Sequence, residues 1–99
     1  MATYVMLSSW TEKGIKNVKD LPARVKANKQ ALQAIGAKVK DFYAVMGMAR
    51  CDTLAIFEAP DDETAAKAAL RIGALGFVRT QTVRAFTEEE IKKIFASLP

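Results

Sequence analysis

The amino-acid sequence predicts an α+β fold in which strands and helices follow one another as β-α-β-β-α-β, with one further helix at the C-terminus. Three observations carry this expectation. Short runs rich in apolar, β-branched and aromatic residues recur at 2–9, 38–46, 51–58 and 77–86. Apolar residues on helical spacing fill the segments between the first and second runs, between the third and fourth, and after the fourth. Helix-opening signals, Asp20-Leu21-Pro22, Pro60-Asp61-Asp62-Glu63 and Thr87-Glu88-Glu89-Glu90, stand at each change from one pattern to the other. With 99 residues, 51% of them apolar and 26% charged, the chain is expected to form one domain, 1–99, around one core.

The first strand, 2–9, places Tyr4 and Met6 on one side and Val5 and Leu7 on the other, so both of its faces are apolar. A strand with one face in water alternates apolar with polar residues instead. Thr11 and Glu12 open a short helical turn to about residue 18, which Gly14 weakens. The longer helix starts after Asp20, a good N-cap, with Pro22 in its first turn, and stops at Gly36. Its apolar positions are Leu21, Val25, Leu32 and Ile35, while Lys13, Lys16, Lys19, Arg24, Lys26 and Lys29 read as a solvated face.

In the second strand, 38–46, simple alternation puts Val39, Tyr43 and Val45 on one face and Phe42, Ala44 and Met46 on the other. A loop at 47–50 joins it to the third strand, 51–58, where Leu54 and Ile56 oppose Ala55 and Phe57, and the pair reads as a hairpin. Pro60 ends the ladder, and Asp61, Asp62 and Glu63 bring negative charge to the next helix N-terminus, where the helix dipole favours it. That helix is rich in alanine (Ala65, Ala66, Ala68, Ala69), which permits close approach to a sheet, and it ends near Gly73 or Gly76. The fourth strand, 77–86, follows. Thr87 and Glu90 form a capping box, and Ile91, Ile94, Phe95 and Leu98 make a stripe on the last helix that must dock on something.

This order is the ferredoxin-like plan, a four-stranded antiparallel sheet with two helices on one face. The first three strands are apolar on both sides, so the other face needs a cover; left open, it exceeds the apolar patch a monomer usually tolerates. A second copy packed sheet to sheet is the expected cover, giving a homodimer, or a higher homo-oligomer, with a barrel-like interior.

Composition closes many chemistries. The absence of histidine and the single cysteine exclude structural zinc, Ser-His-Asp and Cys-His arrangements and an internal disulfide, so neither a metal site nor a cofactor is expected. The N-terminus lacks the pattern of a signal peptide, no apolar run reaches the ~20 residues of a membrane span, and the cysteine is unpaired, which together point to the cytoplasm. Gly76-Phe77-Val78 matches only three residues of an RNA-binding strand motif without its stacking aromatics, so no nucleic acid partner is expected.

The opening Ala2-Thr3-Tyr4-Val5-Met6-Leu7-Ser8-Ser9-Trp10-Thr11-Glu12-Lys13-Gly14-Ile15-Lys16-Asn17, the middle Phe57-Glu58-Ala59-Pro60-Asp61-Asp62-Glu63 and the closing Gly76-Phe77-Val78-Arg79-Thr80-Gln81-Thr82 resemble the GYD domain family. The resemblance implies a dimeric α/β-barrel fold and attaches no activity to it. The family's Gly-Tyr-Asp element lies at the start of the third strand. Here the aspartate position is Asp52, and Cys51 stands where the family has tyrosine.

The candidate catalytic residues are Cys51 and Asp52. A thiol beside Arg50 suits a nucleophile, a redox sensor or a thiolate ligand, against the ordinary role of cysteine as a small buried apolar residue. A carboxylate at the barrel cavity suits a general base, against pairing with a cation or capping loop N–H groups. Tyr4, Trp10, Tyr43 and Phe57 are candidate walls of a ligand pocket, against plain core packing. The expected function is that of a small homo-oligomeric module which binds a small apolar or anionic molecule or serves a structural role. A cofactor-independent enzyme acting on a hydrophobic substrate, and thiolate-based ligand binding through Cys51, are the alternatives.

Overall fold

The computed structural model describes all residues, Met1–Pro99. Its elements are β1 (Ala2–Trp10), α1 (Glu12–Lys16), a 3-10 turn (Val18–Asp20), α2 (Leu21–Ala34), β2 (Lys38–Ala44), β3 (Thr53–Ala59), α3 (Asp62–Ala74), β4 (Val78–Ala85) and α4 (Glu88–Ala96). The strands form one sheet in the order β2-β3-β1-β4, and every neighbouring pair is antiparallel. This is the ferredoxin-like order expected from the sequence. No helix is long and apolar enough to cross a membrane.

Register decides which side chains reach the core. Tyr4 pairs with Phe57 and Met6 with Ala55 across β1 and β3, so these four share the face on which α2 and α3 lie. The core joins Tyr4, Met6, Phe57 and Ala59 of the sheet to Leu32 of α2 and to Ala65 and Ala68 of α3. Removing an aromatic or aliphatic side chain of this kind from water contributes roughly 1.5–3 kcal/mol. Val5, Leu7, Leu54 and Ile56 point to the opposite face, and none of them belongs to the core cluster.

β2 departs from simple alternation. Val39 pairs with Phe57, but Asp41 pairs with Ile56 and Phe42 with Ala55, so Lys40 is an extra residue in a β-bulge. A bulge resets the two-residue period. Val39 and Phe42 therefore share the helix-facing side, which corrects the expectation that they oppose each other, while Tyr43 pairs with Leu54 on the open face and is 54% exposed. The strand stops at Ala44, before Val45 and Met46, and Met46 is 97% exposed. β3 likewise starts at Thr53, so Cys51 and Asp52 precede it and do not belong to it.

α4 begins at the expected capping box: Thr87 Oγ1 accepts from Glu90 N at 3.2 Å and Glu90 Oε1 accepts from Thr87 N at 3.0 Å. Arg84 of β4 adds an ion pair to Glu90 at 3.1 Å. The helix nevertheless buries none of its residues, and Phe95 is 66% exposed. Its apolar stripe has no cover within this chain, and the molecule measures 51 Å along its longest axis against 18 Å along its shortest.

Gly14 in α1 answers to a close approach rather than to helix propensity. Thr11 N donates to Phe77 O at 3.1 Å and Thr11 Oγ1 donates to Gly76 O at 2.6 Å, which pins α1 against the segment leading into β4. A Cβ at Gly14 would stand 1.9 Å from that same Phe77 carbonyl oxygen. Gly73 in α3 has nothing within 4 Å of its corresponding position. Gly14→Ala is therefore expected to destabilise the protein by at least about 2 kcal/mol, and Gly73→Ala to stabilise it by up to about 1 kcal/mol. Thermal denaturation followed by circular dichroism checks the pair, and equal melting temperatures would contradict the account.

Candidate functional site

A concave chamber lies between α2 and the sheet. Met6, Phe42, Ala55 and Phe57 form its floor, with Val25 and Leu32 of α2 as one wall. The bulge at Lys40 is what brings Phe42 into that floor alongside Val39. Arg24, Asn28 and Lys29 stand among the lining residues from α2. The Arg24 guanidinium lies 4.2 Å from the centre of the Phe77 ring, and its Nη1 donates to Asn17 O at 2.8 Å. Its Nη2 is buried without a hydrogen-bond partner in the chain. Lys13 also meets Phe77, with Nζ 4.4 Å from the ring centre.

A second, shallower hollow is bounded by Tyr4, Asp62, Ala65, Thr82 and Arg84. Tyr4 Oη donates to Asp62 Oδ1 at 2.5 Å, and its ring stacks on Phe57 with centroids 5.3 Å apart. The bond to Asp62, burial and the negative charge of the carboxylate raise the Tyr4 pKa above its ordinary value, with Arg84 opposing them weakly. The adjacent Asp61 has a different task. It caps α3 by accepting from Thr64 N at 2.8 Å, and that bond holds its carboxyl below the usual range.

Asp52 fastens strand ends together. Its Oδ2 accepts from Trp10 N at 2.9 Å, its N donates to Ser8 O at 2.7 Å, and its O accepts from Val45 N at 2.9 Å. Cys51 is 3% exposed, and its Sγ donates to Thr53 O at 3.3 Å. Of the candidate pocket residues, Tyr4 and Phe57 stack on each other, Phe57 lines the chamber, Trp10 sits at the end of β1 next to Val78, and Tyr43 lies on the other side of the sheet. Trp10 Nε1 is buried without a partner.

Arg24, Asn28 and Asp62 were not singled out by sequence reasoning. For the first two a signal exists. Leu21, Arg24, Val25, Asn28 and Leu32 recur at i, i+3, i+4, i+7 and i+11, so a cation and an amide sit within the apolar stripe of α2 and not opposite it. For Asp62 there is none, since Asp61 and Asp62 read alike at a helix N-terminus.

The Tyr4–Asp62 bond has a pH signature. Because the folded pKa of Tyr4 is raised, the stability it contributes is fully present below its unfolded pKa of about 10 and is lost as pH rises through the folded value. Urea denaturation across that alkaline range is expected to show a fall in stability that Tyr4→Phe diminishes. An unchanged alkaline profile in the variant would remove the bond's role.

A protein of Thermus thermophilus, described as "Glutamine synthetase and cystathionine beta-lyase binding protein", is 35% identical over 86 residues, which is 86% of this chain and 88% of that protein. The GYD domain model matches residues 4–95, a span that takes in the sheet, α2, α3 and nearly all of α4. The chain therefore belongs to the GYD domain family.

Proposed function

We propose that this protein is a homo-oligomeric docking module that binds an enzyme of the glutamine synthetase or cystathionine β-lyase kind. The observation that carries this reading is the apolar surface left outside the core. Val5, Leu7, Leu54 and Ile56, flanked by Tyr43 and Val83, form one such surface on the open face of the sheet, and the α4 stripe forms another. The first is flat and suits a second copy, since a two-fold axis brings like side chains together across sheets packed face to face. The second is an exposed amphipathic helix with anchors Ile91, Ile94 and Phe95 at i, i+3 and i+4, while Leu98 lies just past its end; such a stripe can seat in a groove of a partner protein. The name of the Thermus thermophilus relative supports a protein client of this type.

Binding is favoured over catalysis by the engagement of the candidate catalytic side chains. Asp52 Oδ2 accepts from Trp10 N, and the Cys51 thiol is buried and donates to Thr53 O, so both side chains have structural work at the strand ends.

Sedimentation equilibrium at low micromolar concentration is expected to show a dimer or larger assembly, weakened by Val83→Asp. Calorimetric titration into glutamine synthetase and cystathionine β-lyase purified from the same organism is expected to show binding to at least one of them. Phe95→Asp, on an exposed position, should keep the circular dichroism spectrum and weaken that binding at least about tenfold, or about 1.4 kcal/mol. A monomer with no affinity for either enzyme would overturn the proposal.

A further inference from the structure

We infer that the chamber beneath α2 binds a small organic monocarboxylate, with an aryl or branched alkyl tail against the sheet and the carboxylate at Arg24. This site is separate from the open face and from α4, and it stands or falls independently of the docking reading.

The space open to the centre of a water molecule in the chamber is about 80 Å³, several times the roughly 10–15 Å³ that one water requires. Met6, Phe42, Ala55, Phe57, Val25 and Leu32 offer water almost no hydrogen bonds, and on the sheet side only the Ser8–Thr53 pair adds hydroxyls to the lining. Such a cavity suits an apolar group of the size of a phenyl ring or a branched butyl chain.

Charge at the rim selects the head group. The ionised residues that line the chamber are Arg24 and Lys29, both cationic, and no Asp or Glu joins them. The Tyr4 hollow differs, because there Asp62 is bound by Tyr4 Oη and Arg84 is paired with Glu90. Arg24 Nη1 donates to Asn17 O and the guanidinium lies over Phe77, while the buried Nη2, with its two N–H groups, has no partner in the chain. A buried guanidinium nitrogen calls for an acceptor, and a carboxylate oxygen provides the strong, charge-assisted form of that bond. The unpartnered N–H groups of Nη2 suit a carboxylate head group, with Lys29 adding positive charge at the same rim.

The test uses the full chain, with phenylacetate and isovalerate as probes and phenylacetamide as the uncharged counterpart. Titrations followed by amide chemical shifts are expected to show saturable changes confined to α2 and to the strands around Met6, Phe42 and Phe57. Phenylacetamide should bind at least about tenfold more weakly than phenylacetate, and Arg24→Gln should reduce phenylacetate affinity by a similar factor with an unchanged circular dichroism spectrum. Ala55→Leu, which fills the floor, should reduce binding of both charged probes; if it fails to fold, Arg24→Gln carries the test. Absence of saturable shifts at these residues, equal affinity for the amide, or affinity that survives Arg24→Gln would each overturn the inference.

Discussion

The stack of Tyr4 on Phe57 is the joint from which the rest of the structure is set. These residues are register partners in the two central strands, so their contact fixes how β1 and β3 are aligned and which half of each strand faces the helices. A slip of one residue would turn the apolar set of a strand to its other face. The Tyr4 hydroxyl then reaches Asp62 at the start of α3, which ties the helix to the strand pair at the point where Asp61 has already capped it. Ala59, Ala65 and Ala68 are all buried beside this joint, and their small side chains let α3 lie close to the sheet. On the α2 side, Leu32 is the buried contact and the chamber opens beside it, lined by larger side chains.

The same joint explains why one side of the molecule is finished and the other is not. Two helices cover the face that bears Tyr4, Met6 and Phe57, and the chain has no comparable layer for the face that bears Val5, Leu7, Leu54 and Ile56. Arg84 shows how α4 is kept from simply collapsing. Its guanidinium donates to Thr3 O, Ala85 O and Glu90 Oε2 and lies 4.5 Å from the Phe86 ring centre, so the base of α4 is clamped to β4 while its stripe is presented outward. Glu90 takes its low carboxyl pKa from Thr87 N–H first and from Arg84 second. The helix is thus held at its first turn by several polar bonds and along its length by none.

Most of the fold was legible in the sequence because it is written in local chemistry. Asp61, Thr87 with Glu90, and Pro60 mark element boundaries by interactions that reach three residues or fewer, and each is where the sequence puts it. The bulge at Lys40 was not legible. An extra residue in one strand is defined by its partner strand, and the run around it alternates plausibly in either register. Gly14 misled for a related reason, since its requirement comes from Phe77, far away in the chain. The site followed the same division. Phe57 and Tyr4 could be named from strand pattern, whereas Arg24 was hidden in a run of cations and is distinguished only by falling in line with Leu21, Val25 and Leu32 on one side of α2.

The bulge in β2 also bears on how copies of this chain can meet. β2 and β4 are the outer strands of the sheet, and an outer strand offers unpaired backbone groups to any other strand that approaches. β2 answers with a kink at Lys40, with exposed Lys38 and Asp41 beside it, and with Lys40 held toward Glu58 at 3.9 Å. β4 carries exposed Arg79 and Arg84 along its length. Sideways addition of strand upon strand, the route to an open-ended ribbon, is obstructed at both margins. The face-to-face contact proposed above would be self-limiting, because a face that has been covered is no longer available to a third copy.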